Sequence, residues 1–419
     1  ATRPPAGARR MGRLNPHKPV RIVVILKPGV PRADIRAAKP PSGYRRADLA
    51  RFLAPSPADV SRVAAFALRS GLRVVGYSAV MHNLTLEGSA MAVERAFAVK
   101  MHVHRSSRVS FHGVENDIVL PAEIADSVLA VVGLDGVPIA GAQTCLPRHQ
   151  QFAYSPLELA EHYRFPQELD GSGQRIAIFS FGGGYWNADL DYYFRCVLNI
   201  PTPRVTPYSL GAGNSPLPRH DLGTILGRLA QGEDPAELEK QYGADFEHAI
   251  MDLETTQDIE IAGAVATGAD IDVYFSRGDA LGYYWSIYAA LGLTGPPRPL
   301  PAAISISWGV SESVGHLRSG TALIIQSALE MAEFLNVPVL CSSGDFGSSG
   351  GSPDAGDLAT VTFPASSPSV TACGGTQFRE DSGGSRVEQV WHDRYLGADM
   401  ASGGGISGFW PRPSSVSYT

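Results

Sequence analysis

The sequence predicts two units: a small α+β unit over residues 19–135, then an α/β unit with a mostly parallel sheet over residues 156–419. Three observations carry this. Up to Gly133, short β-rich runs alternate with amphipathic helical stretches over about 115 residues, the pattern of helices packed on one antiparallel sheet. Residues 136–155, GVPIAGAQTCLPRHQQFAYS, hold Gly, Pro and Gln with no apolar period, so they read as an exposed, cleavable linker. Beyond them, short apolar runs separated by helices continue to residue 376, as in a parallel sheet covered on both faces.

Each element has a local cause. VRIVVILK at 20–27 is a β-rich run stopped by Pro28-Gly29. Ser56-Pro57-Ala58-Asp59 opens a helix: Ser56 caps, Pro57 suits the first turn and Asp59 complements the N-terminal dipole. Strands follow at 72–77 and 83–87, a helix at 89–97, strands near 99–104 and 117–120, and a helix from Pro121 to just before Gly133. In the second unit, strands are expected at 175–184, 271–275, 302–309, 337–345 and 369–376. Helices are expected at 187–196, 247–266, 283–291 and 319–335, with a polar stretch at 201–246. Reactive groups in such a sheet sit at the carboxyl ends of its strands.

Composition narrows the function. A chain of 419 residues with 44% hydrophobic and 18% charged residues is globular rather than disordered. A net charge of −6 gives no basic balance for nucleic acid. No apolar run approaches the roughly 20 residues of a membrane-spanning helix. Cys145, Cys196, Cys341 and Cys373 match no zinc spacing, and Cys341 and Cys373 read as buried free thiols. Residues 1–18 are basic, rich in Pro and Gly and lack the apolar stretch of a secretory signal, so a disordered arm is expected there.

Three places could carry chemistry. On the 247–266 helix, Glu254, Asp258, Ile261 and Val265 share one face. Two carboxylates on a partly buried stripe repel and lose solvation, which makes a proton-sharing pair; the alternative is a solvated helix face. Asp252 and Glu260 read as solvated neighbours. In SSGDFGSSG at 342–350, a buried strand runs into small residues with one carboxylate, Asp345. A desolvated Asp345 could stay neutral and donate to an oxyanion, or could merely cap an ordinary turn. Ser402-Gly403-Gly404-Gly405-Ile406-Ser407 is a cleft wall or a flexible loop. Trp308 lines a pocket or packs at a strand end. No H-E-x-x-H pair, no G-x-S-x-G elbow and no phosphate-loop spacing occurs, which speaks against a metal peptidase, an ordinary Ser-His-Asp triad and a nucleotide enzyme.

Taken together, these stretches resemble the sedolisin family of serine-carboxyl peptidases, and its pro-kumamolisin branch most closely. PSPADVSRVAAFALRSGLRVVGYS, LTLEGSAMAVERAFAV and VLPAEIADSVLAVVGLD resemble the activation prodomain. YSPLELAEHYRFP, LDGSGQRIAIFSFGGGY, ETTQDIEIAGAVATGADIDVYF, SISWG, SSGDFGSS, FPASSPSVTACGGT and SGGGIS resemble the catalytic domain, in the family's order. The resemblance implies a subtilisin-like doubly wound sheet preceded by a ferredoxin-like prodomain. It implies an acid-acting, exported endopeptidase acting on polypeptides, with the prodomain as partner in the cleft. It assigns Glu254 as base toward a serine, Asp258 as the group that orients it, and Asp345 as donor to the oxyanion. Trp308, Gly309, Ser343, Gly344, Gly403 and Gly404 are then expected to line the cleft.

The chain departs from the family in three respects. The family's G-T-S serine lies downstream of the SGGG stretch, and this chain ends at Thr419; the S-G-T at 319–321 is followed by Ala322 and precedes the SGD turn. The expectation is that the nucleophile, and the family's calcium ligands still further on, are not in this chain. A separate C-terminal segment would then complete the fold, or the chain is a truncated, non-catalytic relative that binds peptide or its own prodomain. Kumamolisin-like members often carry Glu where Ser180 stands, and the 201–246 stretch is longer than usual.

Overall fold

The structure is a computed structural model and describes residues 9–29, 54–105, 110–114, 116–134, 141–142, 154–166, 168–313, 320–350, 359–380, 386–395 and 398–411. In the first unit, four antiparallel strands lie in the order Arg73–Ser78, Asn83–Ser89, Pro19–Leu26, Val128–Val132. With helices Pro57–Arg69 and Ala90–Phe97 between strands, this is the split βαβ arrangement of a ferredoxin-like unit. Ser56 caps the first helix by accepting from the Asp59 N–H at 3.1 Å, and Ser89 caps the second from Ala92 at 3.2 Å.

The central strand explains its own sequence. Ile22, Val24 and Leu26 face the two helices in the first unit's core. Val23 and Ile25 point the other way and join the core of the second unit, beside Tyr283, Tyr284, Ile287 and Tyr288. A strand buried on both faces needs a continuous apolar run rather than alternation. Polar contacts fix the junction: Tyr284 donates its hydroxyl hydrogen to Met81 O at 2.5 Å, and Asn83 donates to that hydroxyl at 3.4 Å.

Three expectations here need correction, the first being the strand near 117–120: those residues form no strand, and Ser110–Val114 does. Arg9–Arg13 is a strand, not part of a disordered arm; it pairs with Met101–Arg105, which pairs with Ser110–Val114. Residues 1–8 lie outside the described residues. The helix after Pro121 is only Ala122–Ala125, and Val128–Val132 is a strand against the central one, as its β-branched residues favour.

The second unit holds a six-stranded sheet in the order Arg204–Leu210, Asp270–Ser276, Arg175–Ser180, Ala303–Ile306, Val339–Ser342, Thr371–Cys373. Every neighbouring pair is parallel. This is the doubly wound, subtilisin-like sheet. In chain order the strands run 2-3-1-4-5-6, so the winding reverses between Arg175–Ser180 and Ala303–Ile306. A crevice opens outside the carboxyl ends at such a reversal. Helix Ala244–Val265 covers one face, while Ala280–Ala290 and Thr321–Phe334 cover the other and carry the first unit. The polar 201–246 stretch supplies the edge strand and two helices, Arg219–Ala230 and Pro235–Tyr242, with a small core of Leu217, Ile225, Leu229, Leu238, Phe246 and Ala249.

Trp308–Ser311 leaves the sheet and pairs antiparallel with Thr362–Phe363. It also pairs antiparallel with Gly141–Ala142 of the linker, with Ala142 opposite Trp308 and Gly141 opposite Gly309. Those two linker residues are therefore strand-paired rather than free; residues 135–140 and 143–153 lie outside the described residues. Among the described residues, no helix is long and apolar enough to cross a membrane.

Candidate active site

The crevice at the winding reversal holds three carboxyl groups. Glu254 and Asp258 stand one turn apart on helix Ala244–Val265 and line the same cleft of about 240 Å³ as Asp345. Glu254 is 6% exposed and Asp345 7%. Asp258 retains some residue surface, but its Oδ2 is fully buried with no hydrogen-bond partner in the structure, as is Asp345 Oδ2. Ser307, directly after strand Ala303–Ile306, donates to Asp258 Oδ1 at 2.7 Å.

Burial sets the protonation of this cluster. It drives the Glu254 carboxyl well above the usual range, and the nearby charges of Asp258 and Asp345 push it further. Burial lifts Asp258 to about 7, opposed by the hydrogen bond from Ser307. Burial lifts Asp345 to about 6. Three buried carboxyls so close together do not ionise independently, so protonation of one favours ionisation of its neighbours.

Backbone approach builds the Asp345 turn. Strand Val339–Ser342 ends, Ser343 N–H donates to Cys373 O at 2.9 Å, and Gly344 adopts φ +102°. Ala401 N–H donates to Asp345 O at 2.7 Å, and Gly403 N–H to Gly344 O at 2.8 Å. A Cβ on Gly403 would lie 2.0 Å from Ser343 O, so only glycine allows this contact. The glycine run is thus a wall packed on the Asp345 turn.

The predicted site residues separate as follows. Glu254, Asp258, Asp345, Ser343 and Gly344 meet at the cleft, and Gly403 packs against their turn. Gly404 would have nothing within 4 Å of an added Cβ. Trp308 is corrected: it is 1% exposed, in the core, with its ring edge-on to Phe181 at 5.7 Å. Its backbone and that of Gly309 take the linker instead. Ile261 is 47% exposed and faces the cleft rather than the core. Cys373 is exposed at the cleft, whereas Cys341 is buried.

Asp252 is not solvated, whereas Glu260 is only partly buried. Asp252 is 1% exposed and accepts from Gly184 N–H at 2.7 Å and Leu217 N–H at 2.8 Å; burial lifts it to about 6. Burial, then the charge of Asp189, lifts Glu260 to about 7. Among the cleft residues that went unforeseen are Gln257, Ser307 and Trp391. Trp391 donates its N–H to Gly375 O at 3.0 Å. The small residues of SISWG and CGGT hinted at close packing there without naming a partner. A larger cavity of about 550 Å³, lined by Tyr208, Ser209, Tyr274, Trp285, Thr294 and Arg298 among others, has hydroxyls but no carboxyl in its lining.

Comparison with known proteins fits this geometry. Residues 6–137 match the family model "Pro-kumamolisin, activation domain". Kumamolisin from Bacillus sp. (strain MN-32) is 35% identical over 370 residues, covering 85% of this chain and 60% of that protein. The chain is similar to sedolisin-family peptidases along most of its length. Another sedolisin-family relative, tripeptidyl-peptidase sed5 of Aspergillus fumigatus, is 26% identical over 428 residues, covering 93% of this chain and 67% of that protein. Among solved structures, Pseudomonas sedolisin complexed with two molecules of pseudo-iodotyrostatin overlaps 64% of this chain and 66% of its own, with TM-score 0.43 at 20% identity. The chain thus spans about 60% of the length of kumamolisin.

Proposed function

We propose that this chain carries the activation domain and the acid–base half of the catalytic centre of an acid-acting serine-carboxyl endopeptidase zymogen. One observation carries the reading: the carboxyls of Glu254, Asp258 and Asp345 line one cleft at the winding reversal, close enough for their charges to act on Glu254. Glu254 takes the proton of a serine hydroxyl as its oxygen attacks the peptide carbonyl. Asp258, sharing a proton with Glu254 and held by Ser307, orients it. Asp345, protonated, donates to the oxyanion. Glu254 returns its proton to the leaving amine, and water then opens the acyl-enzyme.

The Ser307 hydroxyl is already committed to Asp258, so the nucleophile in this reading is another serine, contributed from outside the described residues. The calcium implied by the family resemblance finds no ligand set among the described residues; its ligands would also come from outside them. The zymogen reading draws support from the linker, whose Gly141–Ala142 occupies the open edge of Trp308–Gly309 as an extended peptide substrate would. Polypeptide substrates and export from the cell complete the reading.

Ser180 favours a second reading, a non-catalytic peptide binder. It is fully buried, bonds Gly182 O at 2.7 Å and lies 2.9 Å from Thr255 Oγ1, at a position where the family resemblance often implies a supporting Glu. Peptide hydrolysis by the full-length protein between pH 3 and 8 separates the two. Activity in acid that disappears in Glu254→Gln is expected; retained activity in that variant sinks the base assignment.

A further inference from the structure

We infer that Glu312 is a positioning residue of this site: it ties the glycine run packed on the Asp345 turn to the strand that pairs with the linker. Glu312 directly follows strand Trp308–Ser311, which lies between Thr362–Phe363 and Gly141–Ala142, and is 5% exposed. Its N–H donates to Val361 O at 2.9 Å. Its Oε1 accepts from the Ser407 hydroxyl at 2.7 Å, and its Oε2 from Gly408 N–H at 2.8 Å. Ser407 Oγ in turn accepts from Phe409 N–H at 3.1 Å and Trp410 N–H at 2.9 Å.

The clamp matters because of what lies between its anchors. The glycine wall is fixed at its start by Ala401 and Gly403 on the Asp345 turn. Along its middle, Gly404 has open space around it and Ile406 is 78% exposed, so side chains there hold nothing. The next polar anchor is Glu312, which grips the chain at Ser407 and Gly408. That same residue ends the strand whose outer edge takes the linker. One side chain therefore ties the glycine wall to the peptide-pairing edge. A fold needing only a filled position here would use an apolar residue; a buried carboxylate is costly unless its hydrogen bonds are used. Among the described residues, no Lys or Arg forms an ion pair with it, and its two neutral donors both come from the wall.

This inference rests on the peptidase reading, and the test separates the two. Full-length wild type, Glu254→Gln, Glu312→Ala, Glu312→Gln and Ser407→Ala are compared at pH 4 on a peptide reaching several residues along the cleft and on a short one reaching only the scissile bond. Glu312→Ala should raise KM for the long peptide about tenfold while kcat on the short one stays within about twofold. Glu312→Gln, whose amide oxygen can still accept from Gly408, should fall between, and Ser407→Ala should follow it. Equal losses on both peptides, or no loss on either, overturn the positioning role. The Gln and Ser407 variants decide the matter if Glu312→Ala does not fold. Hydrolysis undiminished in Glu254→Gln, or absent in wild type, removes the peptidase reading and this inference with it.

Discussion

Replacing Asp345 by Asn separates the group's hydrogen bond from its proton. In the proposed reaction Asp345 must be neutral, and burial holds its titration near 6 rather than 3.8. Wild-type kcat/KM should therefore fall about tenfold per pH unit above that point. An amide keeps a donor at every pH. Removing an oxyanion donor outright costs about 10²–10³ in kcat, so Asp345→Ala should show that loss and Asp345→Asn only part of it in acid. Above pH 6 the Asn variant should decline less steeply and overtake wild type. Stability gives an independent readout. A carboxyl whose folded pKa is raised contributes stability that is complete below its unfolded pKa and lost as pH rises through about 6. The shift corresponds to roughly 3 kcal/mol, so the Asn variant should gain melting temperature over wild type at pH 7.5 and not at pH 3. Parallel pH–rate limbs for the two proteins would refute the role given to Asp345, and a pH-independent difference in melting would refute the account of its burial.

Two further outcomes follow from contacts. Gly403→Ala places a Cβ 2.0 Å from Ser343 O and must move backbone, at about 1–3 kcal/mol; a melting temperature within 1 °C of wild type would contradict the close approach. Tyr284→Phe leaves Met81 O without its donor inside the junction of the two units, a cost of about 1–3 kcal/mol. The activation domain should then separate sooner, with maturation at pH 4–5 faster by about tenfold; unchanged kinetics would place the restraint elsewhere.

The helix of the acidic pair was legible because i,i+4 spacing is a local property. Glu254 and Asp258 stand on a common face whatever surrounds them. Asp345 was legible for a similar reason, since a buried strand must end somewhere and small residues mark the place. What failed depended on distant partners. Asp252 and Glu260 look like any surface acids, and only the N–H groups of Gly184 and Leu217, folded over from elsewhere in the chain, show that Asp252 is interior. Trp308 and Trp391 both follow β-rich runs, yet one ring turns inward to Phe181 and the other faces the cleft. Period alone does not tell which side of a strand end is solvent. Val128–Val132 read as the end of a helix because its pairing partner lies about a hundred residues earlier.

The strand that faces two cores has a consequence for the timing of activation. Val23, Ile25, Val80 and Met81 belong to the interior only while the two units are docked. Once detached, the activation domain carries a bare greasy stripe and loses the partner that ordered its neighbours. It then opens more often and exposes extended chain, which is what an endopeptidase digests. In the zymogen proposed above, departure would then act as a ratchet: a domain that leaves would become a substrate before it could return.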